Sequence, residues 1–247
     1  MIQPLIGPAP TSLLPLTEAD IETYWREGYV LIRELVPSSE IDAAVAAWQR
    51  KHRGAASSDG SWSATIFDHE HPDRDHDLHR LLVHPRVISA VEQLFEAPAR
   101  VFYGMMAVVP PHGGRGLQWH QDNQYTQILG HALNSFIACC RIPPEKCNLW
   151  VSPGSHAKGL MESSTVDGHR KAADPGNGIC LPTLEPGDAC IFNRYTLHRS
   201  LTNTTNEIRW AYAAQYQEDK ARDANTSKRD PLRMRAHDLA AYWSTLR

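Results

Sequence analysis

The chain has 247 residues, with 25 Lys and Arg against 28 Asp and Glu, and a formal charge of −3. That near-balance gives no electrostatic reason to expect nucleic acid or an anionic membrane as a partner, and no apolar stretch reaches membrane-spanning length. Hydrophobic residues make up 42%, enough for a sizeable core in one domain over residues 1–247.

Residues 1–16 contain Pro4, Pro8, Pro10 and Pro15 and predict an extended arm without the basic start and apolar run of a secretory leader. Five cysteines, Cys139, Cys140, Cys147, Cys180 and Cys190, are an odd set and predict reduced thiols in a cytoplasmic compartment. Thr17 reads as a helix cap, with Glu18 and Asp20 in the first turn and Gly28 as the stop. Tyr29 to Ile32 is β-prone. Pro37-Ser38 opens a second helix with Ile41, Val45 and Trp48 on one face, and Pro85 opens a third. Between them, residues 54–80 read as a long irregular segment. After Pro98 short β-prone runs alternate with turn signals: Val101–Val109, Ser135–Cys140, Leu149–Val151, Ala189–Phe192 and Trp210–Tyr216. Helices first and many strands later predict a mainly β sandwich or barrel with flanking N-terminal helices. Residues 217–247 read as a polar tail ending in a short helix.

Trp119-His120-Gln121-Asp122 contains a His-x-Asp. On a strand, residues i and i+2 face the same side, so an imidazole and a carboxylate reach one metal from one short segment. His198 lies on or just after a predicted strand and supplies a second imidazole. Two nitrogens and one carboxylate oxygen on one face leave open positions, the arrangement that non-haem Fe(II) oxygenases require. By itself a His-x-Asp is weak evidence. There are 13 histidines, and a hydrogen-bonded histidine beside an acid is the plainer reading. Arg209 raises the odds. Eleven residues after His198, on a hairpin return, it points into the same cavity and suits a carboxylate. Ser200 adds a hydroxyl.

These motifs resemble those of the phytanoyl-CoA dioxygenase family. The likeness rests on Trp-His-Gln-Asp at 119–122, Ser-Pro-Gly-Ser-His at 152–156, Glu-Pro-Gly-Asp at 185–188, and His198-x-Ser200-x-x-Asn203 followed by Arg209, all in the family's order. The resemblance implies a double-stranded β-helix (a cupin-like jelly roll) that carries Fe(II) at its mouth. It also implies a 2-oxoglutarate- and O2-dependent oxygenase that hydroxylates or otherwise oxidises a small molecule and releases succinate and CO2. By position, His120, Asp122 and His198 match the iron ligands, Arg209 and Ser200 match the 2-oxoglutarate carboxylate site, and His156 matches a turn residue. Residues 139–148 depart from the family's acidic and Asn-Gly pattern, which is expected to reshape one wall of the pocket.

Loops near the ligands place Met105, Arg115, Gln118, Gln124, Tyr125, Arg141 and Arg199 as candidate substrate contacts, and the arginines favour an anionic small molecule. Two other classes share this sequence: a non-catalytic jelly-roll binding protein, and a metal-dependent hydrolase or isomerase using the same ligands, which needs neither Arg209 nor Ser200. His69, His71, His76, His79 and His84, among Asp68, Asp73, Asp75 and Asp77, fit no standard zinc spacing and read as a solvated loop running into a helix. Residues 113–116 (Gly-Gly-Arg-Gly) read as a flexible lid.

Overall fold

The computed structural model describes residues 14–52, 63–67, 75–225 and 233–246. Most of the proline-rich arm and His69, His71, Asp68 and Asp73 lie outside them. Thr17 caps α1 (Glu18–Glu27): its hydroxyl accepts from the Asp20 amide, and the Asp20 carboxylate accepts from the Thr17 amide. Gly28 ends the helix at φ 82°, which glycine adopts without strain. After β1 (Tyr29–Ile32), α2 (Ser38–Lys51) buries Ile41, Ala44, Ala47 and Trp48 along one face. α3 (Pro85–Phe95) buries Val87, Ile88, Val91 and Leu94, and α4 (Ala236–Ser244) buries Leu239 and Trp243.

The remaining strands are β2 (Ser63–Ile66), β3 (Ala99–Val109), β4 (Ile128–Leu129), β5 (Ala132–Ala138), β6 (Leu149–Val151), β7 (Ser164–Val166), β8 (His169–Lys171), β9 (Ile179–Cys180), β10 (Ala189–Asn193), β11 (His198–Ser200), β12 (Arg209–Glu218) and β13 (Arg222–Asp223). A six-stranded sheet runs β1-β10-β5-β12-β3-β2 and a three-stranded sheet runs β11-β6-β9, with small ribbons β13-β4 and β7-β8. Pairing is antiparallel throughout. The two larger sheets are the layers of a jelly roll, as the motifs implied.

Period-two alternation divides the large sheet's faces. Tyr212, Ala214, Tyr216, Met106, Val108, Leu133 and Ile191 pack under the helices. Ala138, Cys190, Phe192 and Ala211 face Leu149 and Val151 of the small sheet. The first group is covered by the helices, and the other face turns toward the small sheet and the cavity between them.

Residues 54–80 are not irregular throughout. β2 pairs with β3 as an edge strand, and Leu78 and His79 are buried. The His79 Nδ1 lies 2.7 Å from the Tyr212 hydroxyl, and burial lowers this imidazole to about 4. A four-residue edge strand with alternate exposed positions gives little apolar period to read. Nor does the polar tail begin only as loop, since β12 runs to Glu218 and β13 (Arg222–Asp223) pairs with β4. Among the described residues, no helix is long and apolar enough to cross a membrane.

Candidate active site

Residues 117–121 run beside β11. The His120 and His198 backbones exchange two hydrogen bonds of 3.0 Å, and the Ser200 amide donates to the Leu117 carbonyl at 3.0 Å. Only this bridge replaces the predicted strand, and Asp122 begins a 3-10 turn, Asp122–Gln124. The extended Gln121 (φ −113°, ψ 137°) still puts His120 and Asp122 on one side. His120, Asp122 and His198 offer ligand atoms that all lie within 4.8 Å of one another, the one such group among the described residues.

The tautomers follow from the partners. The Nδ1 of His120 lies 2.6 Å from the Gln118 carbonyl, and that of His198 lies 3.0 Å from the Thr196 carbonyl. A carbonyl only accepts, so each Nδ1 carries the proton and each Nε2 presents a lone pair. Those Nε2 atoms lie 3.4 and 3.6 Å from Asp122 Oδ1. Three acceptors facing one another repel unless a cation sits among them, and two imidazoles with one carboxylate suit Fe(II). Burial, then the neighbouring His120, lowers His198 to about 4, so it is neutral near pH 7. Burial alone pushes the Asp122 carboxyl up; contact with the His120 imidazole, the neighbouring His198 and the Arg194 cation together outweigh it and hold the group below the usual carboxylate range.

The other carboxylate oxygen is occupied by protein. Asp122 Oδ2 accepts from Asn134 Nδ2 at 2.6 Å and from Gln215 Nε2 at 2.8 Å. Gln215 in turn accepts from Arg194 Nη1, and Arg194 Nη2 donates to the Asp122 and Thr126 carbonyls at 3.0 Å.

A cavity of about 410 Å³ opens over the triad between the two sheets. Phe102, Tyr103, Met105, Phe136, Leu149 and Phe192 give it largely apolar walls. Arg209, 5% exposed, lines it too. Its Nη2 touches Cys147 Sγ at 3.7 Å, while its Nε and Nη1 have no hydrogen-bond partner among the described residues. A buried cation with free donors calls for an anionic ligand, because leaving it unpaired is costly. Ser200 Oγ accepts from the Leu117 amide at 3.2 Å, which leaves its own hydrogen to donate.

The sequence profile of the phytanoyl-CoA dioxygenase family (PhyH) matches residues 24–211. This chain belongs to the phytanoyl-CoA dioxygenase family. It is 27% identical over 135 residues to a methylphosphonate hydroxylase of Gimesia maris, covering 53% of this chain and 50% of that protein. The chain spans about half the length of the curated relatives it matches. Two solved structures share the fold. One is the epimerase SnoN in complex with Fe3+, alpha-ketoglutarate and nogalamycin RO (23% identity, 90% of this chain and 91% of that one, TM-score 0.69). The other is EvdO2 from Micromonospora carbonacea var. aurantiaca complexed with 2-oxoglutarate (19% identity, 88% and 96%, TM-score 0.72).

The motif residues that the phytanoyl-CoA dioxygenase resemblance singled out either converge on this cavity or tie its frame. Arg209 starts β12 in the large sheet, while His198 and Ser200 sit on β11 in the small one. Arg209 therefore reaches the cavity from the opposite layer and not by the hairpin return that the spacing suggested. In the Pro-Gly-Ser-His turn, Ser155 Oγ accepts from the Leu197 amide at 2.9 Å, next to His198, and His156 Nε2 lies 3.1 Å from the Trp25 carbonyl. Asp188 of Glu-Pro-Gly-Asp accepts from the Glu34 and Glu185 amides at 3.0 and 2.8 Å. The supposed lid is tethered: Asn203 exchanges backbone bonds with Gly113 and Gly114 at 2.9 and 2.8 Å, and Gly116 lies so close to Ser200 that a Cβ would collide with it.

Of the candidate substrate contacts, Met105, Arg115, Tyr125 and Arg199 line the cavity, and Gln118, Gln124 and Arg141 do not. Gln124 is turned into its own 3-10 turn, with Oε1 accepting from the Gln121 amide, and the exposed Arg141 pairs with Glu185 at 3.1 Å. Arg199 points away from its neighbours His198 and Ser200 in strand alternation. Its guanidinium stacks between Trp119 and Trp150, 4.6 and 4.7 Å from their rings. Tyr103, Asn134, Arg194 and Gln215 escaped the sequence reading. Even spacing from Arg209 and from Met105 marks Gln215 and Tyr103 as sharing their faces, a signal present in the sequence.

Proposed function

We propose that this chain is an Fe(II)- and 2-oxoglutarate-dependent oxygenase that hydroxylates or otherwise oxidises a small-molecule substrate, with release of succinate and CO2. The observation that carries the reading is the pairing, in one cavity, of the His120–Asp122–His198 group with the buried, unpaired donors of Arg209. A hydrolase using the same three ligands has no need of that arginine.

In this reading His120 Nε2, His198 Nε2 and Asp122 Oδ1 hold the iron. An iron held by these three residues would supply O2 activation coupled to the oxidative decarboxylation of 2-oxoglutarate. Arg209 binds the far carboxylate of the cosubstrate through paired donors, and Ser200 adds a hydrogen bond from its hydroxyl. That anchorage fixes which end of 2-oxoglutarate faces the metal. The apolar walls at Phe102, Met105, Phe136 and Phe192 exclude bulk water and hold the substrate C–H bond in place. Tyr125 stands edge-on to His120, with ring centroids 5.8 Å apart, and with Arg115 and Met105 it selects the substrate. The name of one relative, a methylphosphonate hydroxylase, and the nogalamycin RO bound in the SnoN structure support a small-molecule substrate for this chain as well. Five free cysteines support a reducing, cytoplasmic setting.

The test is substrate-stimulated turnover of 2-oxoglutarate to succinate by protein loaded with Fe(II) under controlled O2, screened over small organic acids, phosphonates and polyketide-like compounds. The expected result is metal-dependent succinate that disappears in His198→Ala. Turnover of a substrate with no 2-oxoglutarate consumed would overturn the assignment.

A further inference from the structure

The triad binds metal only if the Asp122 carboxylate presents one particular oxygen, and the protein controls which. Asp122 Oδ1 faces both imidazoles at 3.4 and 3.6 Å, whereas Oδ2 is held by the Asn134 and Gln215 amides at 2.6 and 2.8 Å. An amide is ambiguous by itself, since either end of Gln215 fits the space. Arg194 removes the ambiguity. A guanidinium has only donors, so the Gln215 atom that it contacts is the oxygen, and the nitrogen must point at Asp122.

Arg194 is itself 2% exposed and cannot turn away. Its Nη2 donates to the Asp122 and Thr126 carbonyls at 3.0 Å, its Nε lies 3.3 Å from Asn123 Oδ1, and its guanidinium covers the Phe102 ring at 4.8 Å. One side chain thus clamps both the backbone of the ligand residue and the amide that orients its carboxylate. Asn123 closes the loop by exchanging hydrogen bonds of 2.9 and 3.2 Å with the Ile128 backbone.

We infer that Arg194 and Gln215 are positioning residues that act in series on Asp122: Arg194 fixes the sense of the Gln215 amide, and Gln215, with Asn134, makes Asp122 a ligand through Oδ1 alone. A carboxylate bound through one oxygen occupies one coordination position where a chelating one occupies two, so this relay preserves a position for the cosubstrate or O2. The inference rests on the proposed metal centre.

The experiment uses Co(II) as the probe, titrated anaerobically at fixed pH into the metal-free full chain and followed by visible absorption, which reports both affinity and coordination. The variants are Gln215→Met, which keeps the length but removes the amide, and Gln215→Glu, which keeps a partner for Arg194 but sets an oxygen against Asp122 Oδ2. Partners that orient a metal ligand typically change affinity by about 10–100-fold. Both variants are expected to weaken Co(II) by that factor and to shift the visible bands, with the metal-free melting temperature of at least one of them close to that of the unchanged protein. Unaltered affinity and bands in a folded Gln215 variant, with His198→Ala binding lost, would refute the relay while leaving the metal centre standing. Equal Co(II) binding by His198→Ala and the unchanged protein would refute the metal centre, and the relay with it.

Discussion

Arg209 is the residue whose surroundings are least explicable without a ligand. It is a buried guanidinium with Nε and Nη1 unpartnered among the described residues and only a thiol at Nη2. Removing one partner of a buried charged pair costs on the order of 3–5 kcal/mol. Arg209→Ala is therefore expected to weaken 2-oxoglutarate binding by roughly two to four decades, measured by calorimetry on the metal-loaded protein. Affinity within a few-fold of the unchanged chain would remove Arg209 from the cosubstrate site. The His120–Asp122–His198 group and this arginine could be singled out in the sequence because each belongs to a motif, although the route by which Arg209 reaches the cavity could not. Asn134 and Arg194 carried no such signal, because only the fold brings them to Asp122; even spacing puts Gln215 on the face of Arg209 but does not say that it reaches Asp122. Arg199, next to His198 in sequence, borders the cavity, but strand alternation leaves its guanidinium stacked between Trp119 and Trp150.

At the level of elements, small residues set how closely the layers approach. Gly116 lies against Ser200 and Gly28 against the His156 ring, in each case with no room for a Cβ. Gly116→Ala should push residues 113–117 off β11 and displace the Ser200 hydroxyl. The expected result is a KM for 2-oxoglutarate raised severalfold or more with metal affinity little changed, read from succinate formation and Co(II) titration. An unchanged KM would mean that Ser200 plays no part in cosubstrate binding. In α1, Thr17→Ala removes the hydroxyl that caps the Asp20 amide and should lower stability by about 1 kcal/mol, seen as a lower melting temperature. The helices and long strands were readable because caps, prolines and apolar periods span many residues. β2, β9 and β11 have only two to four residues, too few for a period, and exist through their partners.

Across the whole molecule, buried neutral histidines tie stability to acidity. Burial lowers His79 and His131 to about 4, below the ordinary value near 6.5. Between those two values the unfolded chain binds more protons than the folded one, so stability rises with pH across that interval. The contribution is complete above about pH 6.5 and lost as pH falls through about 4, at most about 3 kcal/mol for each histidine. Asp122, held below the usual carboxylate range, adds loss of the same sign at the acid end. The metal-free protein should therefore melt at steadily lower temperature from pH 7 to pH 4, and His79→Gln should flatten that slope. A flat profile in the unchanged chain would contradict the burial of these rings. The large sheet has a consequence for how such a protein diversifies. β12 sets Trp210, Tyr212 and Tyr216 toward the helices, while the opposite face of the same strand presents Ala211 and Ala213. Ala213 lines the cavity between its cross-strand neighbours Met105 and Phe136, so Ala213→Leu should take up cavity space and narrow the range of accepted substrates while changing the melting temperature little. Inheritance can therefore rewrite one face of a strand while selection conserves the other, and descendants of one fold can part ways in diet without parting in shape.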